Sequence, residues 1–163
     1  MDSILNFWFP DDNYQKWWFK STDNLDRVIY NTYYDIMYKQ YDNFKEQDYS
    51  NVSPSTLIST IVLFDQFSRN MARINNISTI DVNDFTKMAM KLTNIWLIRN
   101  LHLTEPIKYT VFALLPIRHM KQVDCIKDLV ELLNSMEEQN SDLKTNIIFN
   151  KFKSATIRNL YNI

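Results

Sequence analysis

Glycine is absent from the 163-residue chain, cysteine occurs once and histidine twice. Without glycine, phosphate-cradling loops of the P-loop or dinucleotide-binding kind, which need close backbone approach, are excluded. The nucleophile elbow goes with them. Tight hairpins also favour glycine, and no X-Gly turn separates alternating strands, which disfavours a β-rich fold. Helices can still end, because asparagine tolerates the left-handed cap conformation, and Asn75-Asn76, Asn100 and Asn140 stand where stops are needed.

The single Cys125 forms no internal disulfide, and its setting V-D-C-I-K-D is acidic, so it reads as a core or boundary thiol rather than a reactive one. His102, His119 and that cysteine make no zinc-finger or H-E-x-x-H ligand set. Any metal would have to be a hard, carboxylate-bound ion, and neither a metal nor a cofactor is expected. No apolar run reaches the ~18 residues of a membrane span, and Met1-Asp2-Ser3 lacks the basic flank of a signal peptide. A soluble, cytoplasmic protein is expected.

What is present is apolar and aromatic: 45% of residues are hydrophobic and 14% are Phe, Trp or Tyr, too rich for a disordered chain. The length fits one domain over residues 1–163, able to bury roughly 70% of its unfolded surface. Abundant Asn, Ile, Lys and Tyr suggest an AT-rich genome. Net charge is -1, but residues 85–121 hold six bases against Glu105 alone, and the last 21 residues add Lys144, Lys151, Lys153 and Arg158 with no acid. A basic half can attract phosphate or RNA, or can be an ordinary solvated face.

Hydrophobic periodicity predicts helices. Leu25, Val28, Ile29, Tyr33, Ile36, Met37 and Phe44 fall on one stripe, with Thr22 or Asp23 as cap. Ser53-Pro54 starts a second long helix running to about Ala72. A third begins near Asp81 and ends near Asn100, and a fourth follows Thr104-Glu105-Pro106, with Pro116 kinking it or starting another. Val123 to Met136 carry a fifth, Leu143 to Phe152 a shorter sixth, and the aromatics of Phe7 to Phe9 and Trp17 to Phe19 plug the bundle. Six or more antiparallel helices with short links imply an all-α domain, in the manner of stacked helical hairpins.

The stretch Leu63 to Arg73, L-F-D-Q-F-S-R-N-M-A-R, places Asp65, Gln66, Arg69, Asn70 and Arg73 on an otherwise apolar helix. Asp65 with Arg69 and Gln66 with Asn70 are i,i+4 pairs, forming two adjacent stripes. They form either a ligand site or an internal clamp.

On these residues the chain resembles the largely bacterial domain-of-unknown-function family 924, an all-helical group similar to tetratricopeptide-repeat folds. The family's opening F-W-F and W-F resemble Phe7-Trp8-Phe9 and Trp18-Phe19, its D-Q-F-x-R-N-x-x-R core resembles Asp65 to Arg73, its L-P-hydrophobic-x-H resembles Leu115 to His119, and its closing R-N resembles Arg158-Asn159. The departures fall on polar positions. Where the family has Ser-Glu after its histidine this chain has Met120-Lys121, and two further family histidines correspond to Ile157 and Thr145. If the family site uses those groups, this member has lost or changed its activity.

Three functions remain open. In a binding module, Gln66, Arg69, Asn70 and Arg73 hold a protein segment or a small anionic ligand, and Arg158 and Asn159 close the pocket. In an enzyme acting on a phosphorylated or nucleotide-like substrate, Asp65 and His119 serve as acid and base. An RNA-binding protein would use the basic half. His102, near a helix end, is expected to be solvated.

Overall fold

A computed structural model of the chain describes residues 1–74 and 79–162. Every regular element among them is helical, so the all-α class holds. The expected stop at Asn75-Asn76 lies outside the described residues.

The first helix, α1 (Asp2–Trp8), buries Ile4 and Trp8 and is followed by a 3-10 turn at Lys16–Trp18. The two are tied by the Trp18 indole N–H, which donates to the Trp8 carbonyl at 2.8 Å. Around them Phe67 and Phe112 meet Trp8 edge to face at 5.4 and 5.7 Å, the geometry aromatic quadrupoles favour. The front aromatics do plug the bundle, with one correction: Phe19 is 46% exposed.

The second helix, α2 (Asp23–Asn43), starts where Thr22 accepts a hydrogen bond from the Leu25 amide. Its buried row is Asp26, Ile29, Tyr33 and Met37, narrower than the predicted stripe, because Val28 and Ile36 turn outward. An acid therefore holds the first place of a core row.

Ser53 accepts from the Thr56 amide and Pro54 fills the first turn of α3 (Pro54–Val62), whose residues from Leu57 onward are all buried. The helical path continues without a break through a π-helical turn, Leu63–Phe67, into α4 (Ser68–Ala72). The buried hydroxyls of Ser59 and Thr60 donate to carbonyls four residues back, so polar residues enter the core already satisfied.

Asp81 caps α5 (Val82–Ile98). Two residues past its end Asn100 is left-handed at φ 56° as expected, and it opens the unpredicted short helix α6 (Leu101–Thr104). Pro116 lies inside α7 (Ile107–His119) without starting a new helix. Val111 to Ile117 are all buried, and α7 packs against α3 and α5 on one side. On the other it meets α8 (Val123–Gln139) and α9 (Ile147–Tyr161), which pack against each other. The last helix starts later and runs longer than predicted, because Ser141–Thr145 forms a 3-10 turn and Asn146 is the cap. Asn140 is extended rather than left-handed. One cluster of buried apolar side chains extends from Ile4 to Phe152.

Beyond α7, Lys121 takes φ 55° and its amide bonds the Arg118 carbonyl at 3.1 Å. A Cβ is unfavourable there by ~1 to 2 kcal/mol, and glycine would relieve it at some entropic cost. Lys121→Gly is expected to raise the midpoint of thermal unfolding by a few degrees, measured by calorimetry. A lower midpoint would show that the lysine side chain stabilises the turn more than its backbone strains it.

Candidate functional site

The π turn widens the helix where the polar residues cluster, a feature often found at functional sites. It carries Asp65 fully out of solvent. An unpaired carboxylate there would cost several kcal/mol, and three side chains meet it. His119 Nδ1, from the end of α7, lies 2.8 and 2.9 Å from the two carboxylate oxygens. The Gln66 amide donates at 2.7 Å, and Arg69 Nε stands 3.5 Å away, a charge contact rather than a good hydrogen bond. Burial pushes the Asp65 carboxyl up, but His119, Arg69 and Gln66 together outweigh it and hold the group below its ordinary value. Ionised Asp65 can only accept, so His119 carries its proton on Nδ1 toward it, leaving Nε2 as the ring nitrogen not engaged by the acid.

Gln66 thus bonds Asp65 and not Asn70. The second predicted stripe instead reaches across to α2. Asn70 Nδ2 donates to Asp26 Oδ1 at 2.8 Å and to Ser21 Oγ at 3.2 Å, and Arg73 grips both Asp26 oxygens at 3.0 and 3.1 Å. Burial raises the Asp26 carboxyl, and Arg73, Ser21 and Asn70 lower it further than burial lifts it. Two carboxylates therefore organise the motif. Asp26 escapes a search of Asp65 to Arg73, although its place at the head of the row Asp26, Ile29, Tyr33, Met37 is a readable signal.

Between these centres opens a cleft of about 170 Å³, lined by Ser21, Gln66, Arg69, Asn70, Arg73 and His119 together with Trp18, Phe19, Leu115 and Arg118. Five of the predicted site residues, Gln66, Arg69, Asn70, Arg73 and His119, therefore share one wall, with Asp65 beneath it. Arg158 and Asn159 do not join them. Arg158 lines a larger groove of about 550 Å³, and Asn159 a cleft of about 370 Å³ shared with His119 and Lys121. Arg118 lines all three.

Sequence reading misses Arg118, although it directly precedes His119 in L-P-I-R-H. Burial, then the nearby Arg158, lower its guanidinium to about 10 against an opposing pull from Asp65. Its Nε is buried without a hydrogen-bond partner among the described residues, while its guanidinium lies 5.4 Å from the Phe152 ring.

Among the family's histidine positions, Thr145 is exposed and donates to the Asp142 carbonyl, and Ile157 is half-buried on α9. Neither lines these three openings. His102 is half-buried rather than solvated. Its Nδ1 lacks a partner among the described residues, and burial lowers its basicity. No group of three or more His, Cys, Asp or Glu side chains is arranged to hold a metal among the described residues. Nor is any helix among them long and apolar enough to cross a membrane.

Fold and cleft together define an all-helical protein with an arginine- and histidine-lined polar cleft over a buried carboxylate. The family model described as bacterial protein of unknown function (DUF924) matches residues 4–160, and the chain belongs to that family. No curated protein and no solved structure matches it.

The Asp65 carboxyl has a folded value below the ~3.9 of an unfolded aspartate, so the folded state holds fewer protons in that range. The stability it contributes is complete above about pH 4 and is lost as pH falls through the folded value. Asp26 behaves the same way. Asp65→Asn should lower stability at neutral pH and make the acid limb of a melting-temperature profile shallower, with the Asp26 share remaining. Identical acid limbs in wild type and variant would show that Asp65 is not the ionised centre of the cluster.

Proposed function

We propose that the protein binds a small anionic ligand whose phosphate or carboxylate group sits in the 170 Å³ cleft between Arg69 and Arg118. The observation that carries this reading is Arg118. Arg73 and His119 are each matched to a carboxylate, but Arg118 is in no ion pair among the described residues and its buried Nε lacks an acceptor. A guanidinium so placed gains a charge-assisted, bidentate partner when an oxyanion enters. Ser21 and Gln66 supply neutral hydrogen-bonding groups at the same wall. The cleft's size and polar lining favour a small ligand over a protein segment, which would require an open apolar groove.

A second reading rests on the Asp65–His119 pair. A buried carboxylate fixing one imidazole nitrogen, while the other has no hydrogen bond among the described residues, is the arrangement of a general base or acid. It would make the protein an enzyme acting on a phosphorylated or nucleotide-like substrate bound by the same arginines.

The test is a thermal-shift series with inorganic phosphate, sulfate and citrate on wild type and Arg118→Met. A ligand at about 100 times its dissociation constant adds ~2.7 kcal/mol, a shift of several degrees for this size. Wild type is expected to shift and the variant not to. Equal shifts in both would remove Arg118 as the anchor, and no shift in wild type would overturn the anion reading. For the enzyme reading, wild type should hydrolyse p-nitrophenyl phosphate and His119→Gln should not, while still binding phosphate. Equal turnover by the two proteins would exclude His119 as the proton-transfer group.

A further inference from the structure

Size separates the head of the ligand from its body. Pockets that enclose a whole small molecule run to ~300 to 1,000 Å³, and the cleft over Asp65 is about 170 Å³. It accommodates a phosphate-sized group and little more. The neighbouring groove, between the N-terminal loop and α9, measures about 550 Å³ and shares Phe19 and Arg118 with the cleft as common walls. A ligand anchored in the cleft therefore has one large adjoining space for its remainder, entered past Phe19 and Arg118.

The groove has a definite chemistry. Tyr14 and Phe19 lie nearly parallel, 17° between planes. The Lys151 ammonium sits 4.8 Å from the centre of the Tyr14 ring, and Arg118 lies over Phe152. Arg118, Lys151 and Arg158 all line the groove, and no carboxylate among the described residues does. None of the three is in an ion pair among the described residues. Phe19 is 46% exposed and, with Tyr14, gives the groove an aromatic surface against which a planar ring packs, and the excess positive charge favours an anionic molecule. Asn150 and Ser154 add hydrogen-bonding groups at the same wall.

Resting on the anion-binding reading of the cleft, we infer that the ligand is a phosphate monoester bearing a planar aromatic group, with its phosphate between Arg69 and Arg118 and its ring against Tyr14 and Phe19. Nucleoside monophosphates and simple aryl phosphates share this chemistry. Lys151 and Arg158 lie beyond the phosphate and contact the ring or its polar substituents.

Isothermal titration of the full chain tests this with inorganic phosphate, glycerol phosphate, phenyl phosphate and adenosine monophosphate. The aromatic esters are expected to bind about tenfold tighter than glycerol phosphate, ~1.4 kcal/mol. Tyr14→Leu and Lys151→Met, which alter the groove and not the cleft, should cut that advantage to less than about threefold while leaving inorganic phosphate binding unchanged. The exposed Lys151 position serves if Tyr14→Leu fails to fold. Adenosine monophosphate binding above phenyl phosphate would assign the nucleotide class, and the reverse the aryl phosphates. If all the esters bind alike, or if both folded variants keep the aromatic preference, the inference falls while the anion site stands. If inorganic phosphate and every ester fail to bind, the anion reading fails with it.

Discussion

The Asp65 carboxylate is a full charge in a fully buried position, and the helices around it are arranged to neutralise it. Removing one partner of such a buried group costs ~3 to 5 kcal/mol, because the remaining charge cannot reach water. His119 therefore fixes the C-terminal end of α7 against the π turn, and Arg69 holds α4 to the same point. Through its second guanidinium nitrogen Arg69 also donates to Thr86 on α5 at 2.8 Å. Asp65 and its arginine thus tie α7 and α5 to the motif helix.

A companion network at Asp26 ties the motif helix to α2 by the same physics, with Arg73 and Asn70 as the donors. Polar residues crowded onto one helix have been divided between two carboxylates, so the clamp and the proposed site draw on the same side chains. The faces of Arg69, Asn70 and Arg73 turned toward their acids hold the fold. The cleft lies on their other side. What remains over is positive: Arg118 lines the cleft in no ion pair among the described residues, and Lys151 and Arg158 extend the excess into the adjoining groove.

The fold was largely legible in the sequence because helix boundaries here are set by local chemistry. Thr22, Ser53 and Asp81 cap where short polar side chains are expected to, and the apolar rows of α3, α5 and α8 follow the 3.6-residue period. Errors arose where tertiary contacts decide. Val28 and Ile36 fit the apolar pattern of α2 yet face outward, since the partner helix covers only the row headed by Asp26. The D-Q-F-S-R-N stretch announced a polar cluster and its Asp65–Arg69 pair, but the expected Gln66–Asn70 pair is split between two acids, and Asp26, the partner of Asn70, lay 39 residues before Asp65. Arg118 was hidden for another reason. An arginine next to a histidine has no periodic signature, and the lack of a hydrogen-bond partner for its Nε among the described residues is a property of three-dimensional surroundings alone.

The π turn at Leu63–Phe67 gives this helix one residue more than an α-helical path between the same ends would hold. Deleting one residue there would restore regular winding and leave Ser68 to Ala72 where they stand relative to α3. Arg69, Asn70 and Arg73 would keep their faces, as would the apolar run from Leu57 to Val62, while the turn that carries Asp65 and Gln66 closed up. The buried carboxylate is thus set by a local insertion, separately from the hydrophobic run before it and the arginines after it, and a lineage could gain or lose it by a single-codon change without first surrendering the bundle.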